Sequence, residues 1–167
     1  AEDSVRKLSL AVEQSPNVVL ITDRHARIQY VNDAFERITG YSREEVLGRT
    51  SADFGLWEQP SMRDEAYLLL RQEGAVPVRQ ARLRRRSGEL IDVSFSSCRV
   101  EIAGRPHFLA MVVDITPLEQ ARRALERQQE ELEALVARRT ADLEVANATL
   151  KERAVAIADL YDGAPCG

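Results

Sequence analysis

Few residues in this chain are of types that do chemistry, and their spacing decides what each can do. There are two cysteines, Cys98 and Cys166, too few for a disulfide-stapled scaffold, so a reducing, cytosolic setting is expected. The two histidines, His25 and His107, fall in a turn and at a strand start, where ordinary surface histidines are expected in place of metal or haem ligands. Arg79, Arg82, Arg84, Arg85 and Arg86 form a basic run, but neighbouring strand residues point to opposite faces and no aromatics interleave for base stacking. A solvated strand edge is expected there, with no nucleic-acid contact. No glycine loop cradles phosphate and no nucleophile has a partner base, so no enzymatic activity is expected.

The remaining candidates are aromatic and hydroxyl side chains. Asp92, Ser94, Ser96 and Cys98 alternate along one strand face, with Val93 and Phe95 on the other. Either face can look inward. A polar inner face would suit a small polar ligand, and an outward one would leave a closed, dry interior.

The elements that must position these residues divide at Thr116. From Pro117 to Ala158 the chain has no glycine and no aromatic residue and is rich in Ala, Leu, Glu, Arg and Gln, the strong helix formers. Earlier residues alternate in short runs. A helix is expected over about 3–13 and a hairpin of strands over 17–23 and 27–31. Asn32 is placed to cap a helix stopping at Gly40, and Ser42 with Glu45 forms a capping box opening another that ends by Gly48. A longer helix over 60–72 stops at Gly74. Strands over 76–86, 90–101 and 107–115 then form an antiparallel meander. The net charge of −4 and strand-sized apolar runs imply no membrane contact.

This order of elements, with Thr22-Asp23, Tyr30-Val31-Asn32-Asp33-Ala34-Phe35, Thr39-Gly40-Tyr41-Ser42, Arg86-Ser87-Gly88-Glu89 and Asp114-Ile115-Thr116, resembles a PAS domain over about residues 1–116. The resemblance implies an α/β fold of the α+β type: a five-stranded antiparallel sheet with short helices on one face and a pocket between them. On that basis Phe54, Trp57, Tyr67 and Leu70 are candidate pocket residues from the helical side, and Ser94 and Ser96 from the sheet. The alternative is that the large side chains simply form the core. Members that form a flavin photoadduct carry a cysteine shortly after the second short helix, where this chain reads Arg49-Thr50-Ser51-Ala52-Asp53-Phe54. Members that ligate haem place a histidine on the long pocket helix, and 60–72 has none. Both are therefore not expected; non-covalent FAD is left open.

Beyond the sheet, Thr116 is expected to cap a helix with Pro117 in its first turn. Leu118, Leu125 and Leu132 recur every seven residues, and so do Val136, Leu143, Leu150 and Ile157. The four-residue step from Leu132 to Val136 is a stutter in a coiled coil. Asn147 then takes a core position, which favours a parallel pair in one register. A homodimer through this helix, over 117–160, and through the first helix is expected. Residues 161–167 resemble the start of a second PAS domain, as though the sequence were a piece of a longer sensor. The expected mechanism is that a small-molecule or partner event in the PAS domain passes through Asp114, Ile115 and Thr116 into the coiled coil. The resemblance implies a histidine kinase or cyclic-dinucleotide enzyme as output, as in two-component systems; the alternative is a ligand-free dimerisation and spacer module.

Overall fold

The computed structural model describes residues 1–162. Asp23 closes the first hairpin, its Oδ1 accepting from the backbone N–H groups of His25 (2.8 Å) and Arg27 (3.0 Å). Strand β1 (Val18–Asp23) thereby pairs with β2 (Ile28–Val31). An initial helix, α1 (Glu2–Glu13), precedes them, and two short helices, α2 (Asp33–Thr39) and α3 (Arg43–Val46), follow. Then come α4 (Pro60–Glu73), β3 (Ala75–Arg84), β4 (Leu90–Ile102) and β5 (Arg105–Asp114). The sheet order is β2-β1-β5-β4-β3, antiparallel throughout. The sequence predicts the hairpin and the meander; pairing of β1 with β5, from Val18 opposite Val112 to Asp23 opposite His107, joins them into one sheet.

One sheet face is apolar and covered by the helices. Ile28, Val31, Val93, Phe95 and Val112 meet Ala34 and Phe35 of α2 and Ala66 and Leu70 of α4 in a single core. The long helix ends at Gly74 and α2 at Gly40, both left-handed. At Gly40, φ is +80° and a Cβ would lie 3.5 Å from the Cβ of Arg86, whose backbone N–H donates to the Thr39 carbonyl. A side chain is therefore disfavoured there first by the backbone conformation.

Two expected caps are replaced. Ser42 and Glu45 do form their box, with the Ser42 N–H donating to Glu45 Oε2 (2.8 Å) and the Glu45 N–H to Ser42 Oγ (3.3 Å). Asn32 stands at the N-cap position of α2 but its side chain makes no capping bond. It is wholly buried and instead accepts from the Val19 N–H and donates to the carbonyls of Val12 and Asn17, tying the end of α1 to β1. The side chain thus satisfies three backbone groups, while the Phe35 N–H at the helix start is already taken by the Asn32 carbonyl (3.1 Å). Thr116 is already the first residue of α5 (Thr116–Asp162), and its hydroxyl is likewise turned elsewhere.

The chain divides into a compact unit through Glu119 and a second unit from Gln120 onward. Considered alone, α5 is one helix of 47 residues with none buried. Leu160, Tyr161 and Asp162 continue it; the expected second domain start, including Cys166, falls mostly on 163–167, outside the described residues. No described helix is long and apolar enough to cross a membrane.

Candidate functional site: an apolar cavity and the junction behind it

Between the covered sheet face and α4 lies a cavity of about 70 Å³. Alternation along the strands aims Leu20 and Thr22 of β1, Val93, Phe95 and Ser97 of β4, and Phe108, Ala110 and Val112 of β5 at it. The helical side contributes Trp57, Ala66, Tyr67 and Leu70. Trp57 meets Phe95 edge-on, with ring centroids 5.0 Å apart, and Tyr67 meets Phe108 at 5.9 Å. These contacts fix the aromatic walls by packing. Ser51 Oγ accepts from Trp57 Nε1 (3.2 Å) and from Arg63 Nε (3.0 Å), while the Arg63 guanidinium lies 4.9 Å from the Tyr67 ring centroid. Burial pushes the Tyr67 phenol above its ordinary pKa. The Thr22 hydroxyl is close enough to oppose that shift, yet is not in hydrogen-bonding geometry with it.

Of the six pocket residues expected from sequence, the structure brings Trp57, Tyr67 and Leu70 to the cavity and leaves out three. Phe54 packs beside Tyr41, at 4.8 Å between centroids, under the Arg49 guanidinium, and its carbonyl accepts from the Tyr41 hydroxyl. Ser94 and Ser96 lie on the opposite face of β4 from Val93 and Phe95, because burying the apolar set removes more apolar surface from water. Sequence reasoning missed Thr22, Ser51 and Ser97. Strand parity pointed to Ser97, two residues beyond Phe95, once the apolar face is taken as the inner one; nothing local marked Ser51.

Cofactor fit follows from size and lining. The cavity is well below the roughly 300–1,000 Å³ of sites that enclose cofactor-sized ligands, and its described lining contains no histidine, cysteine or charged residue. A haem or the three-ring system of FAD does not fit it as folded. His25 Nε2 instead accepts from Arg24 Nε, and His107 Nδ1 lies 3.0 Å from the Arg105 carbonyl. Among the described residues no cluster of His, Cys, Asp and Glu could hold a metal ion.

Behind the cavity wall, the residue before Val93 is Asp92, and here β4 meets the start of α5. The Asp92 N–H donates to Thr116 Oγ1 (3.0 Å), the Ile115 N–H donates to the Asp92 carbonyl (2.9 Å), and the Thr116 N–H is taken by Asp114 Oδ1 (3.0 Å). Asp114 is thus the capping side chain. Ion pairs extend the junction: Arg82 lies 3.4 Å from Asp92 and 3.5 Å from Glu58, and Arg85 lies 3.7 Å from Asp114. Arg86 pairs with Glu45 at 2.6 Å, so the basic run is largely engaged with this domain's own carboxylates. Glu45 is held below its ordinary value first by the Ser42 N–H. Asp114, Ile115 and Thr116 each contribute a group to this junction.

A family model described as PAS domain matches residues 16–117. The chain is 35% identical over 143 residues to the C4-dicarboxylate transport sensor protein DctS of Rhodobacter capsulatus, covering 79% of this chain and 21% of that protein. It is 28% identical over 142 residues to the sensor protein FixL of Bradyrhizobium diazoefficiens, covering 82% and 28%. The chain thus spans under a third of these relatives' lengths. The solved PAS domain of an HTR-like protein from Haloarcula marismortui superposes with a TM-score of 0.58 at 26% identity, covering 68% of this chain and 93% of that one. In fold and in sequence alike, the chain belongs to the PAS domain family.

Proposed function

We propose that this chain is the sensory and regulatory module of a larger signal-transduction protein, working in the cytosol without catalytic activity of its own. A ligand or partner event at the cavity shifts β4 and β5, and the Asp92–Thr116 junction passes the shift to α5. The observation that supports this most is that junction. Val93 in the cavity wall is the immediate neighbour of Asp92, whose N–H is held by the hydroxyl of Thr116, the first residue of the output helix.

The same reading makes α5 one strand of a parallel dimeric coiled coil with Leu118, Leu125, Leu132, Val136, Leu143, Asn147, Leu150 and Ile157 in its core, and α1 a second contact between copies. In support, every apolar member of that series is exposed on the single chain, as are Val5, Leu8 and Leu10 of α1. The stutter between Leu132 and Val136 supplies an element whose rotation can be biased. The controlled output is a histidine kinase or a cyclic-dinucleotide enzyme.

Hydrogen exchange tests the junction. Thr116→Val removes the acceptor of the Asp92 N–H. Exchange at the Asp92 amide and in the first turn of α5 is expected to quicken by about 5- to 10-fold, with the Phe35 amide unchanged. Unchanged exchange at both places would overturn the proposed route.

A further inference from the structure

Thr22 is 2% exposed, lines the cavity, and its Oγ1 has no hydrogen-bond partner among the described residues. A buried hydroxyl left in that state destabilises a fold, and valine at the same place would keep the shape without the cost. The other small hydroxyls in the wall are committed: Ser97 Oγ donates to the Leu109 carbonyl and Ser51 accepts from two donors. Thr22 lies where the β1–β2 register shifts, between Ile21 and Thr22. Among the wall hydroxyls it is the fully buried one that makes no hydrogen bond, with the Tyr67 phenol of the same wall nearby.

Size and polarity narrow that occupant. A cavity of about 70 Å³ is under half of the roughly 150 Å³ that admits benzene, so it holds about three to four non-hydrogen atoms. No charged residue lines it, so an ion entering would lose its hydration without a counter-charge. A lone water needs two to four polar partners, and these walls are mainly apolar. We propose that the cavity binds a small uncharged molecule of the short-chain alcohol or ketone class, its apolar body against Leu70, Val93 and Ala110 and its oxygen hydrogen-bonded to Thr22. This deepens the sensor reading above and rests on it for the signalling consequence alone.

The test is a methyl-resolved NMR titration of the full chain with 2-propanol and, separately, propionate. Saturable shifts at the methyls of Thr22, Leu70, Val93 and Ala110 are expected with 2-propanol, and none with propionate. Thr22→Val should weaken 2-propanol binding by about 5- to 10-fold while leaving the unfolding temperature equal or higher. Ala110→Val, which narrows the cavity, should abolish saturation. Linear, non-saturating shifts, equal affinity in Thr22→Val, or equal saturation by propionate would each overturn the assignment. Saturation without any response at the Asp92 and Ile115 amides would sustain the ligand class and contradict the transmission route instead.

Discussion

Phe35, Ile28, Val31 and Val93 are at most 2% exposed, whereas Leu118, Leu125, Leu143 and Leu150 of α5 are each more than 60% exposed. The first set lies in a unit that closes its own core from both sides of the sheet–helix interface. The second set recurs every seven residues on a helix that, at 1.5 Å per residue, runs about 70 Å. A helix alone cannot bury such a stripe, and a repeat of seven positions it along one side. The contrast separates a unit whose large apolar residues are buried within it from a helix whose apolar series is exposed on the single chain.

The strongest way to break that comparison is to delete one large side chain from each region. Phe35→Ala removes a ring from the closed core and should destabilise the compact unit by about 3–5 kcal/mol, lowering Tm by well over ~10 °C in a thermal melt. Leu125→Ala should move the same transition by about 0.5 kcal/mol or less in dilute solution. Comparable losses would mean that α5 is consumed by its own domain after all.

A smaller effect sharpens where the compact unit begins. The Glu13 carboxylate, at the end of α1, accepts from the Tyr30 hydroxyl and lies 3.1 Å from Arg43. The Tyr30 hydrogen bond lowers its pKa most, burial opposes this, and the Arg43 charge adds to the lowering. Tyr30 is pushed up to about 12, by burial and then by Glu13. Because the folded value of Glu13 lies below its ordinary 4.5, its stabilisation is complete above that value and is lost as pH falls through the lowered one. Glu13→Gln should therefore flatten the acid side of the stability profile, by about 1 kcal/mol or less for so partly exposed a pair. An unchanged profile would show that α1 is not held by this group.

Much of the fold was legible because its signals are local. The capping box at Ser42 and Glu45, the glycines ending α2 and α4, and the alternation along three strands each act within a few residues. The site was less so. Alternation distinguishes two faces of β4 but not which is covered, so it does not by itself exclude Ser94 and Ser96 from the pocket, whereas the apolar set of Val93 and Phe95 is the buried one. Asn32 and Thr116 have the composition of helix caps, yet each finds partners distant in sequence, Val12 for one and Asp92 for the other. Thr22 carries no local signal, because its lack of a partner depends on groups distant in sequence.

The most direct measurement of the central claim is sedimentation equilibrium of the chain beside a Leu143→Asp, Leu150→Asp double variant. The account predicts a dimer at micromolar concentration for the first and a monomer with an intact thermal transition for the second, since both positions are exposed on the single chain. A monomer for the unaltered chain, or a dimer that survives both aspartates, would contradict the claim that the long helix needs a second copy.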